Sequence, residues 1–212
     1  MLGDIVQAAL NRLSENPRLW VTLRAIAENG FRTEREIIAR ELVASDGTRT
    51  AYLDFGCGTG VSAEYFPPGT YTGFDIAHHY VRYASRQGRG RYAVMSGGAL
   101  GFDTACFDGA LVLGVFHHLP DELVRASVAE LHRVLRPGAR LLVMEDIPSP
   151  RPWNILGHTM HWLDRGDHIR TDADYRALLA PHFLIRRSYQ VRSGICDLAV
   201  YVLDRAGGPG EG

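Results

Sequence analysis

The 212-residue chain contains no lysine, so all 23 of its basic residues are arginine. That single absence removes a phosphate-binding P-loop, a Schiff-base nucleophile and a lysine general base together. Cysteine is almost as scarce. Cys57, Cys106 and Cys196 lie far apart, are odd in number and form no CxxC pair, which argues against a zinc knuckle or a dithiol redox site. Each reads as a small buried hydrophobe. No apolar run reaches the ~18 residues a membrane span needs. The opening MLGDIVQAALNRL has Asp4 near its front and no cleavage-type small-residue motif, so a cytoplasmic location is expected. A formal net charge of -1 supplies no global field for a polyanion, so nucleic acid is not expected as an obligate partner.

What is present is ordinary globular usage, 46% hydrophobic and 22% charged, in a length that suits one α/β domain with additions. Apolar spacing predicts helices over Ile5–Leu13, Arg18–Glu28 and Thr33–Leu42, which make residues 1–48 an N-terminal helical extension or lid. Thr33 and Glu36 have the spacing of a capping box. From Thr50 the chain alternates short apolar runs with helical patterns, as a parallel sheet requires. Strands are expected at Ala51–Phe55, Tyr71–Phe74, Arg91–Met95, Gly109–Leu113 and Arg140–Glu145. Helices are expected at Val61–Phe66, His79–Arg86 and Glu122–Leu135, the last stopped by Arg136-Pro137-Gly138. Runs at Phe183–Val191 and Leu198–Leu203 are separated by a connection around Ser193-Gly194 too short for a crossover, so they pair as an antiparallel hairpin. Residues 49–205 form the main domain, with a cap insertion at about 148–171 and a helical pattern at Asp172–Leu179. The tail 206–212 is low in complexity and expected to be flexible.

The chemistry is carried by the turn after the first strand, Asp54-Phe55-Gly56-Cys57-Gly58-Thr59-Gly60. Backbone without Cβ lets a ligand approach closely, and a helix start offers free amides. A dinucleotide loop reads GxGxxG, whereas this one reads GxGxG with an acid two positions ahead. A carboxylate there repels a pyrophosphate and suits a cationic amino group. Asp75 closes the next strand in Tyr71-Thr72-Gly73-Phe74-Asp75, where a carboxylate accepts both hydroxyls of a ribose. The plainer alternative for Asp75 is a helix N-cap.

With YLDFGCGTG, GFDIA, FDGALVLGVFHHLPD and ELHRVLRPGARLLVMED in that order, the sequence resembles a class I S-adenosylmethionine-dependent methyltransferase over about residues 50–203, in particular the small-molecule subgroup that includes quinone-biosynthesis enzymes. The resemblance implies a Rossmann-like α/β fold, with a seven-stranded, mostly parallel sheet, an antiparallel last strand and helices on both faces. It implies S-adenosyl-L-methionine as cofactor, held by Asp54, Gly56, Gly58 and Gly60, with Asp75 on the ribose, Ile76 beside the adenine, and Gly114 and Val115 near the sulfonium. At the position where the family usually carries an adenine-binding acid the chain reads Met95-Ser96-Gly97, so Ser96 or backbone must serve.

The implied reaction is methyl transfer to a small-molecule acceptor. An acceptor hydroxyl or ammonium needs a base, and His117 and His118 stand just past the fourth strand, at the sheet edge where open α/β folds bind ligands. A structural hydrogen bond in the turn is the plainer alternative for each. The cap adds Trp153, His158, Met160, His161, Trp162, Asp164 and His168, read as acceptor-site wall, with His158 and His161 as further catalytic candidates and no metal site expected. Glu145 and Asp146 end the fifth strand as acceptor-orienting or pocket-capping candidates, with a solvated strand-end acid the plainer alternative for each. The alternatives are an NAD-dependent oxidoreductase, which shares the strand-glycine-helix start, and a catalytically silent cofactor-binding scaffold. A homodimer through the N-terminal helices is left open.

Overall fold

A computed structural model describes residues 16–43, 47, 49–148 and 168–206. Five helices and seven strands follow in order among them: α1 (Pro17–Ala27), α2 (Arg32–Glu41), β1 (Tyr52–Phe55), β2 (Tyr71–Asp75), α3 (His78–Ser85), β3 (Arg91–Val94), β4 (Phe107–Leu113), α4 (Asp121–Val134), β5 (Leu135–Asp146), α5 (Asp172–Leu179), β6 (Leu184–Ser193) and β7 (Cys196–Asp204). The strands make one sheet in the order β3-β2-β1-β4-β5-β7-β6. β1 pairs in parallel with both β2 and β4, so the chain reverses its direction of winding there, and a crevice opens beyond the carboxyl end of β1. β7 runs antiparallel to both β5 and β6, which completes the Rossmann-like arrangement with one reversed strand.

The pleat of β1 explains both faces. Leu53 and Phe55 join a core cluster with Phe116, Val124, Val128, Leu131, Tyr175 and Tyr201, under α4 and α5. Tyr52 points the other way, into a cluster with Ile37, Ile38, Leu42, Leu111, Leu142 and Val200, under α2. Asp54 alternates with Leu53 and Phe55 and is only 2% exposed, so a carboxyl occupies a position that the period would give to an apolar side chain. Burying a charge costs several kcal/mol unless it is compensated, which makes Asp54 the one residue of β1 that the core does not explain.

Several local expectations are corrected. Val61–Tyr65 is a 3-10 turn rather than an α-helix, entered from Gly60 in the left-handed region. Thr33 and Glu36 form no capping box, because α2 starts at Arg32 behind a left-handed Phe31 with no side-chain cap. Thr33 Oγ1 instead donates to the carbonyl of Arg192 at 3.4 Å. Among the described residues the capping box is Thr171 with Asp174, at the start of α5. The fifth strand begins at Leu135 rather than Arg140, since Leu135 already pairs with Phe107 before a register shift. The helix expected at Ile5–Leu13, the tail and most of the cap, including Trp153, His158, Met160, His161, Trp162 and Asp164, lie outside the described residues. No described helix is long and apolar enough to cross a membrane.

Candidate active site

β1 delivers the chain into the turn 56–60, whose three glycines have positive φ of 72° (Gly56), 50° (Gly58) and 75° (Gly60). They are glycine for different reasons. A Cβ on Gly56 would stand 2.6 Å from Val115 Cγ2, and one on Gly60 would stand 2.8 Å from the hydroxyl of Tyr92 and 2.9 Å from Ala84 Cβ. Those two are required by packing. Gly58 has nothing within 4 Å of such a Cβ, so its bare backbone faces open space. The turn is anchored by Cys57 N–H donating to Phe74 O at 2.8 Å, and Gly58 N–H donates to Asp75 Oδ2 at 2.9 Å.

Beneath the turn, Asp54 accepts a 2.5 Å hydrogen bond from the hydroxyl of Tyr71. Burial pushes the Asp54 carboxyl up to about 7, with the neighbouring Asp75 charge adding to the rise and the Tyr71 and Ser62 hydroxyls opposing it. A carboxyl that titrates near neutrality at the floor of a cleft is poised to accept a cation. The cleft runs from Asp54, Gly56 and Gly58 past Ser62, Tyr65, Tyr80 and Leu113. Its far wall is Trp20, Val21 and Arg24 of α1 together with Phe31. Arg24 donates to Glu28 at 2.7 and 3.1 Å and lies 5.5 Å from the centre of the Phe31 ring.

Asp75 sits at the opposite end of the turn. Its two oxygens accept from Gly58 N–H and, at 2.8 Å, from Ala77 N–H, which leaves about two of a carboxylate's roughly four lone-pair sites. The N-cap of α3 is Ala77 with no side-chain bond, so Asp75 does not cap that helix in the ordinary way. Ile76, beside it, is 76% exposed, and Ser96 at the end of β3 is also exposed. A large aliphatic side chain bared next to this carboxylate is a ready face for a flat ring.

Past β4, Gly114 adopts φ 64° and donates to Met144 O at 2.9 Å, while Val115 buttresses Gly56; the neighbouring Leu113 lines the cleft itself. A 3-10 turn, Phe116–His118, follows. Glu145 is fully buried and holds this turn: it accepts from the amides of Val115 (3.0 Å), Phe116 (2.8 Å) and His117 (3.3 Å) and from His117 Nδ1 (2.8 Å). Nε2 of the same ring lies 3.9 Å from Asp146 Oδ2. His118 is exposed, its ring 4.0 Å from that of His117. Arg170, 6% exposed, closes the other end of the turn by donating to Phe116 O (2.6 Å), Leu119 O (2.7 Å) and Asp121 Oδ1. His168 donates its amide to His117 O at 3.1 Å.

The sequence brought Asp54, the glycines, Asp75, Ile76 and His117 to one sheet edge, and the structure keeps them together. Tyr71, Arg24, Trp20 and Arg170 escaped notice. Nothing local marks them, because each acts across a long separation in sequence. His158 and His161 lie outside the described residues, and no group of three or more His, Cys, Asp or Glu that could hold a metal occurs among the described ones.

Comparisons with known proteins point to one group of enzymes. Residues 53–143 match a family described as "Methyltransferase domain". An O-methyltransferase of Aspergillus nomiae is 32% identical over 140 residues, covering 60% of each chain. Another, of Aspergillus sclerotiorum, is 32% identical over 152 residues, covering 65% of this chain and 54% of the relative. The chain thus spans roughly half of the curated relatives it matches. In fold it is similar to a SAM-dependent methyltransferase of Methanosarcina mazei (TM-score 0.60, 19% identity, 74% of this chain and 93% of that one). It is also similar to geranyl diphosphate C-methyltransferase of Streptomyces coelicolor A3(2), solved with S-adenosyl-L-homocysteine (TM-score 0.63, 14% identity, 82% and 77%). Matched segment, relatives and strand order converge on the class I S-adenosylmethionine-dependent methyltransferases as the proteins this chain is similar to.

Proposed function

We propose that the chain methylates a hydroxyl oxygen of a small molecule, using S-adenosyl-L-methionine. The observation that carries the reading is Asp54, a buried carboxyl raised to about 7 beneath a turn of bare backbone, where an ammonium group fits and a pyrophosphate does not. Bound there, the cofactor supplies a methyl carbon already activated by a positively charged sulfur. The chain's own residues do the rest. Asp54 receives the ammonium, directly or through water, and Gly58 leaves room for the backbone to be approached. Arg24, on the opposite wall, faces the carboxylate of the same amino-acid end. Asp75 takes the ribose hydroxyls with its remaining lone pairs, Ile76 covers the adenine, and Ser96 or nearby backbone meets the adenine edge. Gly114 and Val115 shape the sulfonium end.

His117 is the base of this reading. With an Nδ1 proton turned toward Glu145, 2.8 Å away, Nε2 accepts the proton that the acceptor hydroxyl loses as its oxygen bonds to the methyl carbon. An oxygen acceptor is favoured by the O-methyltransferase relatives. His118, His158 and His161 remain secondary candidates for positioning the acceptor. The same reading has residues 1–48 as a lid on a domain of residues 49–205, a cap at about 148–171 over the acceptor and a flexible tail at 206–212. It places the chain in the cytoplasm. A homodimer is compatible with it. The experiment is a labelled-methyl screen across small-molecule extracts with mass spectrometry of whatever becomes labelled. The expected result is a small product with one added methyl on oxygen, and label found only on protein, nucleic acid, carbon or nitrogen contradicts the proposal.

A further inference from the structure

The helix that walls the cleft is poorly anchored by its own side chains: α1 has 11 residues and buries none of them. Apolar burial therefore does not set its position, and its carboxyl end must be fixed by something else. That end meets the tip of the β6–β7 hairpin. Ile195 N–H donates to Ala27 O at 3.0 Å, and Ser193, fully buried, donates Oγ to Glu28 O at 3.1 Å.

Gly194 lies between them at φ 57°, in a two-residue connection closed by the Ser193–Cys196 pair. A turn of this kind asks for glycine, asparagine or aspartate because of its φ alone. Gly194 is restricted further. A Cβ there would stand 1.9 Å from Ala27 O and 3.1 Å from Asn29 N, whereas Gly30, Gly88 and Gly138, also at positive φ, have nothing within 4 Å. The close approach belongs to the contact with α1 and not to the turn. Immediately beyond it, Asn29, Gly30 and Phe31 are all left-handed, at φ 50°, 69° and 57°, and Phe31 lines the cleft under Arg24. Left-handed non-glycine backbone persists only where its surroundings hold it.

We infer that the hairpin tip Ser193–Gly194–Ile195 is a latch that positions the cofactor site: it pins the end of α1 and so holds Trp20, Val21, Arg24 and Phe31 over the glycine turn. These are positioning residues, acting through α1 on whatever the cleft binds. The inference rests on the reading of that cleft as the site of the cofactor's amino-acid end.

The test uses the full chain and S-adenosyl-L-homocysteine as probe. Gly194→Asn keeps a residue that tolerates the φ and adds a side chain whose Cβ collides with Ala27, and Gly138→Asn makes the same change at φ 74°, where a Cβ meets nothing. Calorimetry is expected to show Gly194→Asn binding the probe about tenfold or more weakly and Gly138→Asn matching the parent. Hydrogen exchange is expected to quicken over residues 17–31 in Gly194→Asn while β1, β4 and β5 keep their protection. Parent-like binding by Gly194→Asn, or loss of protection spread evenly through the central strands, overturns the latch. If Gly194→Asn does not fold, Ser193→Ala decides, since losing one hydrogen bond should weaken binding by about threefold or more and loosen residues 28–31, and parent-like behaviour in both overturns it. A folded parent that ignores the probe contradicts the proposed function instead, and the exchange comparison still decides the latch.

Discussion

Three side chains account for how the site responds to pH and to mutation. Asp54 is held near 7 by burial, and a bound ammonium would pull it down, so binding releases a proton around neutrality. The affinity for S-adenosyl-L-homocysteine is therefore expected to rise from pH 6 to pH 8, with a heat that depends on the buffer's ionisation enthalpy. Asp54→Asn should flatten both, and calorimetry in two buffers checks it. Glu34 is fully buried in α2 with its carboxyl raised above the ordinary 4.5 by burial, while the Ser193 hydroxyl and Arg24 oppose the rise and Glu28 adds to it. For a raised carboxyl the stabilising contribution is complete below the unfolded value and is lost as pH rises through the folded one. Glu34→Gln should accordingly raise the melting temperature at pH 8 and leave it nearly unchanged at pH 4, by thermal denaturation. His117→Gln is expected to cost about a hundredfold or more in transfer with little change in probe affinity, as loss of a general base does. At this scale Asp54 was legible because an acid ahead of GxGxG has few structural excuses. Glu34 was not, since an acid in an amphipathic helix reads as solvated until the β6–β7 hairpin is laid over it.

Among elements, the turn after β4 decides most. Glu145 satisfies three amides and the imidazole at one end, and Arg170 satisfies two carbonyls at the other, so Phe116–His118 is clamped from both sides. Glu145→Ala leaves several buried donors unmet and should destabilise the fold by ~3 kcal/mol or more in urea titration. Arg170→Lys should lose a comparable part of Arg170's contribution, because a single ammonium cannot reproduce a planar fork shared among Phe116 O, Leu119 O and Asp121. Glu145 was visible in the sequence as a strand-end acid with two open roles, and the structure shows it holding the turn. The hairpin at Ser193-Gly194 and the helix at Asp172–Leu179 were legible from spacing and length alone. The capping box at Thr33 was not what it resembled. Its hydroxyl is drawn to Arg192 O by tertiary packing, which local spacing does not register. The 3-10 turn at Val61–Tyr65 likewise follows from Gly60 entering left-handed, a conformation the apolar pattern of residues 61–66 does not encode.

For the molecule as a whole, the sheet order places the winding reversal beside β1, and that one topological fact puts Asp54, the glycine turn, Asp75 and His117 along a common edge. The alternation of short strands and helices was enough to forecast the parallel part of this sheet, because each crossover in it is long enough for only one kind of connection. How α1 closes the cleft was beyond forecast, since it depends on contacts between residues 27–34 and 192–195. If this edge holds the adenosyl cofactor by Asp75 and the glycine turn, titration calorimetry of the folded chain with S-adenosyl-L-homocysteine should show saturable binding of one ligand per chain, abolished by Asp75→Ala in a protein that still melts cooperatively. No heat at millimolar ligand, or an Asp75→Ala variant that binds like the parent, would contradict it.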